Sequence, residues 1–424
     1  MKNVLSIDDL QNLAKKRVPK MFYEYADSGS WSGETYKANQ NDFSNIKFRQ
    51  RVGVNIENRS LSKNFLGKKV SIPLALAPTG LCGMQHRDGE ILAAQASEEF
   101  GIPFTLSTMS ICSIEDVAKA TTQPFWFQLY VMKDKAFISN LLARAQSAGC
   151  NVLQITMDLN ILGQRHADVR NGLSAPPKFK ISHIKQIISR PKWALGMLKA
   201  KRHFFANVVG HAEGVTDSGA LWSWIAEQFD STFSWEDLDW IRNQWKGKIL
   251  LKGILDPDDA KKAVELGFDG VIVSNHGGRQ LDGALSSISA LPYIVDEVGE
   301  KMEVYMDGGI RSGQDICKAL CLGAHGVLIG RPFLYGLGAN GKNGVTRCLE
   351  IMRDSLDESL GFLGEKNIND LSRKNILDMS YKKEIFNKIY FYIFTSIYFN
   401  KFLSSYKMTK EKKNNFSDDD KDLW

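Results

Sequence analysis

Eight short apolar runs punctuate the chain, and each ends in polar or glycine residues. They are Ile72–Gly80 (IPLALAPTG), Pro103–Thr108 (PFTLST), Pro124–Tyr130 (PFWFQLY), Val152–Asp158 (VLQITMD), Lys248–Gly253 (KILLKG), Gly270–His276 (GVIVSNH), Glu303–Gly309 (EVYMDGG) and Gly326–Pro332 (GVLIGRP). Near-continuous apolar stretches of this length suit parallel strands covered on both faces. The segments between them carry apolar residues at helical spacing, as in Gly89–Phe100, Asp256–Leu266 and Ser312–Leu322. Ser113 with Asp116 forms a capping-box pattern that opens a further helix, and Ser6 with Asp9 caps one near the start.

Strand–helix alternation repeated eight times predicts an α/β chain folded as a (β/α)8 TIM barrel. The rival, a doubly wound sheet, would place nucleotide-binding glycines after its first strand, and Pro78-Thr79-Gly80 is no such fingerprint. The residues before Ile72 read as an N-terminal helical lead-in. A long insertion, about 176–245, follows the fourth strand. The barrel unit is expected over 1–377, with an aromatic, Lys-rich extension over 378–424. Within that extension Ile389–Phe399 (IYFYIFTSIYF) is roughly half the length of about 20 residues that a spanning helix needs. An interfacial helix, packing onto the body and a tilted span remain open readings of it.

The 424 residues carry a net charge of +6, with 43% hydrophobic and 24% charged residues. That balance excludes a disordered chain and a polytopic membrane protein. The charge is unevenly placed. Residues 176–212 hold Lys178, Lys180, Lys185, Arg190, Lys192, Lys199, Lys201 and Arg202 and no acid, a local +8; residues 381–424 add +3, which leaves −5 for the body. An acidic body without a reader motif argues against nucleic acid as a partner. In the basic segment Trp193, Leu195, Met197, Leu198, Phe204 and Phe205 interleave with the cations, the pattern of a surface that docks on an anionic membrane. The six cysteines form no C-x-x-C pair, and Met1–Lys20 has no apolar signal-peptide core, so reduced thiols in a cytosolic compartment are expected. The seven histidines lack metal-ligand spacing, so no metal is expected.

Function in such a barrel gathers at the C-terminal ends of the strands. Those ends hold Pro78, Thr79 and Gly80; Ser107; Gln128 and Tyr130; Thr156 and Asp158; Lys252; Ser274 and His276; Asp307, Gly308 and Gly309; and Gly330 and Arg331. Two glycine turns with Arg311 and Arg331, after the seventh and eighth strands, suit a phosphate. His276, held among glycines and followed by Arg279, suits a general base beside an anion-binding cation. Asp158 is placed to orient it. Lys252, inside an apolar strand, would set a fixed positive charge under whatever gains negative charge. Gly336–Gly341 spells G-x-G-x-x-G but follows the last strand, so a nicotinamide site is rejected.

Together these motifs resemble the family of FMN-dependent 2-hydroxy-acid dehydrogenases and oxidases. The most specific is SNHGGRQLDG at Ser274–Gly283. It is joined by APTG at Ala77–Gly80, LST at Leu106–Thr108, WFQLY at Trp126–Tyr130, MDGGIRSGQD at Met306–Asp315 and IGRPFLYGL at Ile329–Leu337. The resemblance covers about residues 1–377. It implies FMN as the cofactor and a small 2-hydroxy acid as substrate, with His276, partnered by Asp158, taking the hydroxyl proton as hydride passes to the flavin. It implies Tyr25, Tyr130, Arg165 and Arg279 as substrate-binding residues. For the isoalloxazine it implies Pro78, Thr79, Gly80, Ser107, Gln128 and Thr156, with Lys252 at N1/O2. For the ribityl and phosphate it implies Ser274, Asp307, Gly308, Gly309, Arg311, Gly330 and Arg331.

The segment from Ile181 to Trp245 is most similar to the respiratory L-lactate dehydrogenases of bacteria. That similarity implies oxidation of L-lactate to pyruvate, a quinone or cytochrome acceptor and a homo-oligomer, a tetramer. It also implies a peripheral place on the cytoplasmic side of the bacterial inner membrane. Gly80, where many of the oxidases carry Ala, disfavours O2 as acceptor. The alternatives are an O2-using glycolate- or lactate-type oxidase and a mandelate-type dehydrogenase. A further rival is a phosphosugar aldolase or isomerase barrel using Lys252 as a Schiff base. Asp307-Gly-Gly replaces the Asp-Ser-Gly common in the lactate subgroup, and Leu159-Asn160 replaces Thr-Pro, which leaves the substrate side chain open.

Overall fold

The apolar runs become strands β1 (Leu74–Leu76), β2 (Thr105–Ser107), β3 (Trp126–Tyr130), β4 (Val152–Thr156), β5 (Lys248–Ile254), β6 (Gly270–Val273), β7 (Glu303–Asp307) and β8 (Gly326–Ile329). They belong to a computed structural model that describes residues 1, 3–173, 181–215, 221, 224, 227–228 and 230–377. The apolar core of the C-terminal extension and the first two lysines of the basic segment lie outside the described residues. The strands pair in the order β1-β8-β7-β6-β5-β4-β3-β2, all parallel, and a parallel bridge from Leu76 to Phe104 joins the two ends. The result is the eight-stranded barrel that the alternation predicts.

Helices start where the sequence supplies caps. Ser6 and Ser113 both form complete capping boxes, with Asp9 and Asp116, at the heads of Ile7–Arg17 and Ile114–Ala118. Asp256 caps Pro257–Glu265, which has proline in its first turn where its missing N–H is harmless. Ser312 caps Gly313–Cys321, whose Cys317 and Cys321 both turn into the core.

The lead-in contains more than the helices expected. After Lys20–Ala26 and Glu34–Asn41 it forms a hairpin, Lys63–Phe65 with Lys68–Val70. Phe65 from that hairpin enters the N-terminal mouth of the barrel and meets Tyr305 edge-on at 5.0 Å, with Trp126 beside both. A Cβ on Gly326 would lie 2.1 Å from the Phe65 ring, so glycine there makes room for the plug. With Val152, Leu250, Ile272 and Leu328 these rings fill the lower barrel. Only the C-terminal mouth is left for chemistry.

The insertion after β4 carries helices Ile181–Ile188 and Pro191–Met197, then Leu238–Gln244 leading into β5. Ile181, Ile184, Ile188, Leu195, Leu198 and Phe204 are exposed. Trp193 and Phe205, expected on the same face, turn inward instead. Trp193 stacks on Phe22 at 5.5 Å and donates to the Met84 carbonyl, and Phe205 is buried.

Candidate active site

The strand ends converge on a cleft at the C-terminal mouth, lined by polar and ionisable side chains as a ligand site is. Its walls include Tyr25, Pro78, Thr79, Gly80, Tyr130, Thr156, Arg165, Lys252, His276, Arg279, Asp307, Gly308, Gly309, Arg311, Gly330 and Arg331. Of the expected site residues, Ser107, Gln128, Asp158 and Ser274 stand behind this wall. They support it through a buried relay: Ser107 Oγ donates to Gln128 Oε1 (2.8 Å), and Gln128 Nε2 donates to Thr156 Oγ1 (2.9 Å).

His276 sits just past β6 with a φ of 57°, followed by Gly277 at 66° and Gly278 at 72°. Three left-handed residues in a row turn the chain sharply off the strand, and for His276 this stores roughly 1–3 kcal/mol of strain. The turn is held by His276 N–H to Ser274 Oγ (3.1 Å) and by Gly278 N–H to Asn275 Oδ1 (2.9 Å). A Cβ on Gly278 would meet the Tyr36 backbone nitrogen at 2.5 Å.

The imidazole Nδ1 contacts Asp158 Oδ1 at 3.0 Å, and Nε2 lies 3.4 Å from the Tyr130 hydroxyl. Burial holds the imidazole below its ordinary range, against the upward pull of Asp158. Burial also pushes the Asp158 carboxyl up, but His276 and Lys252 outweigh it and hold the group lowered. The ring is thus neutral near pH 7, oriented from behind, with Nε2 facing the cleft. Gly253 makes this possible, since a Cβ there would lie 2.7 Å from Asp158 Cγ.

Two arginines flank the histidine. Arg279 donates to the Tyr25 carbonyl (2.6 Å) and to Asp168 Oδ2 (3.0 Å), and lies 4.7 Å over the Tyr25 ring. Arg165 donates to Gln280 Oε1 at 3.2 Å. Deeper in the cleft Lys252 Nζ lies 2.9 Å from Asp307 Oδ2 and 2.8 Å from Ser274 Oγ, and Ser274 Oγ donates to Asp307 Oδ1 at 2.6 Å. Lys252 is therefore a buried, paired cation.

Sequence reasoning missed Asp168, which carries the ion pair to Arg279, and Gln280, which ties Arg165 to the Asp158 and Ile161 carbonyls. It also missed Asn39, whose amide pairs reciprocally with Asn275 at 2.8 Å. Gln280 and Asn275 lay inside the quoted motif. Asp168 and Asn39 had no local signal.

The far end of the cleft suits an anion. Gly308 and Gly309 have φ of 100° and 85° and lead to Arg311, while the helical segment Arg331–Phe362, broken at Asn340 and Gly341, begins at the wall. The first N–H groups of a helix have no partner within it and favour negative charge. Among the described residues neither Arg311 nor Arg331 has a carboxylate partner within ion-pair distance.

A model of the FMN-dependent dehydrogenase family matches residues 14–378. The chain belongs to the FMN-dependent dehydrogenase family. It is an FMN flavoenzyme, and the aldolase reading falls with that membership. The chain is 45% identical over 372 residues to an L-lactate dehydrogenase of Haemophilus influenzae, covering 87% of this chain and 97% of that protein. It is 43% identical over 364 residues to an L-lactate dehydrogenase of Ectopseudomonas mendocina, covering 86% and 96%. Among solved structures, the monotopic membrane protein (S)-mandelate dehydrogenase aligns with a TM-score of 0.83 and 36% identity, over 88% of this chain and 99% of that one. A mutant mandelate oxidase with (S)-mandelic acid aligns with a TM-score of 0.74 and 30% identity, over 88% of this chain and 98% of that one. The far end, with its glycine turns and two arginines that have no carboxylate partner among the described residues, has the chemistry a phosphate group such as that of FMN requires.

Proposed function

We propose that this enzyme oxidises an L-2-hydroxy acid, L-lactate foremost, to the 2-oxo acid and passes the electrons to a membrane quinone. The observation that carries the reading is the His276 constellation: a neutral, half-buried imidazole braced by Asp158, facing Tyr130, with two arginines beside it. In this reading Arg279 and Arg165 hold the substrate carboxylate, the former over Tyr25, and a guanidinium fork fixes the acid in one orientation. His276 Nε2 takes the hydroxyl proton, and Asp158 stabilises the imidazolium so formed. The α-hydrogen leaves with its electron pair as the carbonyl forms. FMN held along Pro78–Gly80, Thr156 and Lys252, with Ser107 and Gln128 bracing Thr156 from behind and its phosphate at Arg311 and Arg331, would supply the two-electron acceptor. Ser274 and Asp307 hold Lys252 in place.

L-lactate is favoured by the names of the relatives at 43–45% identity. A second reading, a mandelate-type substrate, is favoured by the solved neighbours and by an apolar vestibule of about 620 Å³ above the cleft. Leu81, Met109, Val131, Met132, Phe205 and Phe233 line it, and an aryl side chain fits such a wall.

A lipid-dissolved quinone suits the same vestibule, because Phe205 and Phe233 belong to the insertion that also carries the exposed apolar face. Beside that face stand Lys185, Arg190, Lys192 and Lys199. Lys201 and Arg202 pair with Asp116 at 2.9 and 2.8 Å instead. The insertion is thus read as a peripheral contact with the cytoplasmic side of a bacterial inner membrane. No described helix is long and apolar enough to cross a membrane. We read residues 1–377 as the dehydrogenase body, 378–424 as an extension, and the enzyme as a homo-oligomer.

Initial rates with L-lactate, glycolate and (S)-mandelate, each against a soluble quinone analogue, cytochrome c and O2, test the reading. L-lactate with the quinone is expected to give the highest kcat/KM. Fastest turnover with O2 would make the enzyme an oxidase, and preference for mandelate would establish the second reading.

A further inference from the structure

One carboxylate outside the cleft gathers four donors. Asp27 Oδ1 accepts from the hydroxyls of Tyr36 (2.8 Å) and Tyr335 (2.6 Å), and Oδ2 accepts from the Tyr23 hydroxyl (2.7 Å) and Gln11 Nε2 (2.9 Å). Three tyrosines from three helices, converging on one acid, fix the loop that follows Lys20–Ala26 against the helix that opens at Arg331.

That loop touches the anion end of the cleft. Arg331 Nε donates to the Ala26 carbonyl (2.8 Å) and Nη2 to the Ser28 carbonyl (2.7 Å), the two residues that flank Asp27. Nη1 donates to the Gly277 carbonyl at 3.0 Å. A guanidinium has five N–H groups, so these three bonds leave one on each terminal nitrogen. Two of the tyrosines complete the grip: the Arg331 guanidinium lies 4.6 Å over the Tyr36 ring, and that of Arg311 lies 5.9 Å from the Tyr335 ring centre. Both arginines are thus aimed by rings whose hydroxyls end on the same carboxylate. A lysine in either place would lose the fork and the stacking.

We infer that Asp27, through Tyr36, Tyr335 and the carbonyls of Ala26 and Ser28, is the positioning residue that aims Arg331 and Arg311 at the FMN phosphate. This rests on the reading of those arginines as the phosphate grip. Asp27 is not part of the cleft wall; it sets the geometry of the two cations that are.

The phosphate is the difference between FMN and riboflavin, so the affinity ratio of the two isolates the effect. The full-length protein, stripped of flavin, is titrated with each, following flavin fluorescence. Asp27→Asn is expected to weaken FMN about tenfold, the scale of one charge-assisted hydrogen bond lost or misaligned, and to leave riboflavin unchanged. Tyr36→Phe and Tyr335→Phe, which keep the rings, are expected to shift the ratio the same way and less. They carry the test should Asp27→Asn fail to fold. Equal weakening of both flavins, or an unchanged ratio in all three variants, overturns the inference. Arg331→Met is the calibrating arm: a ratio unchanged there overturns the phosphate reading itself, whereas a ratio shifted there but not at Asp27 overturns only the role of Asp27.

Discussion

The chemistry at the residue scale turns on a histidine whose proton affinity is set by opposing forces. Burial lowers it and Asp158 raises it, with the net below the ordinary range. A base must be neutral to act, so kcat/KM is lost as pH falls through this lowered pKa and is fully present above it. Asp158→Asn removes the upward pull, so the acid limb of the pH–kcat/KM profile is expected to move to lower pH. The same change removes the counter-charge to the imidazolium and is expected to cut kcat about a hundredfold. An acid limb that stays in place would break the assignment. Arg279→Lys keeps the charge and loses the fork, so KM for the hydroxy acid is expected to rise tenfold or more with FMN retained. Steady-state kinetics at saturating quinone read both effects.

At the scale of elements, strand ends and the turns after them decide what can meet. The apolar runs made the eight strands legible, and the polar residue closing each run marked the mouth of the barrel. His276, Lys252 and Tyr130 were found that way. Asp168 was not, because its partner Arg279 lies in a turn remote in sequence, and nothing in a lone Asp three residues after Arg165 announces an ion pair. Nor was the hairpin plug at Phe65, since a three-residue strand leaves almost no periodicity. The fold also puts glycine where one Cβ would dislodge a catalytic group. Gly253→Ala, at φ 102° and against Asp158, is expected to reproduce the kcat loss of Asp158→Asn while the flavin spectrum stays that of bound FMN. Kinetics near wild type would show that the carboxylate has room the geometry denies it.

On the scale of the whole molecule, charge and apolar surface separate. An acidic body carries a basic insertion whose helices expose Ile181, Ile184 and Ile188. Composition located that segment, but only packing showed that Trp193 and Phe205 face inward and that Lys201 and Arg202 are tied to Asp116. Replacing the three isoleucines by serine is expected to reduce sedimentation with phosphatidylglycerol vesicles severalfold, with turnover of a soluble acceptor unchanged. Equal sedimentation of both proteins would remove the membrane role from this face. The central claim, that this cleft oxidises a 2-hydroxy acid with His276 as base, is tested most directly by anaerobic mixing of the FMN-loaded enzyme with L-lactate. The account predicts rapid bleaching of the oxidised flavin band in the wild type and bleaching slowed about a thousandfold in His276→Ala with FMN still bound. Bleaching of His276→Ala at a near-normal rate, or none in the wild type, would contradict it.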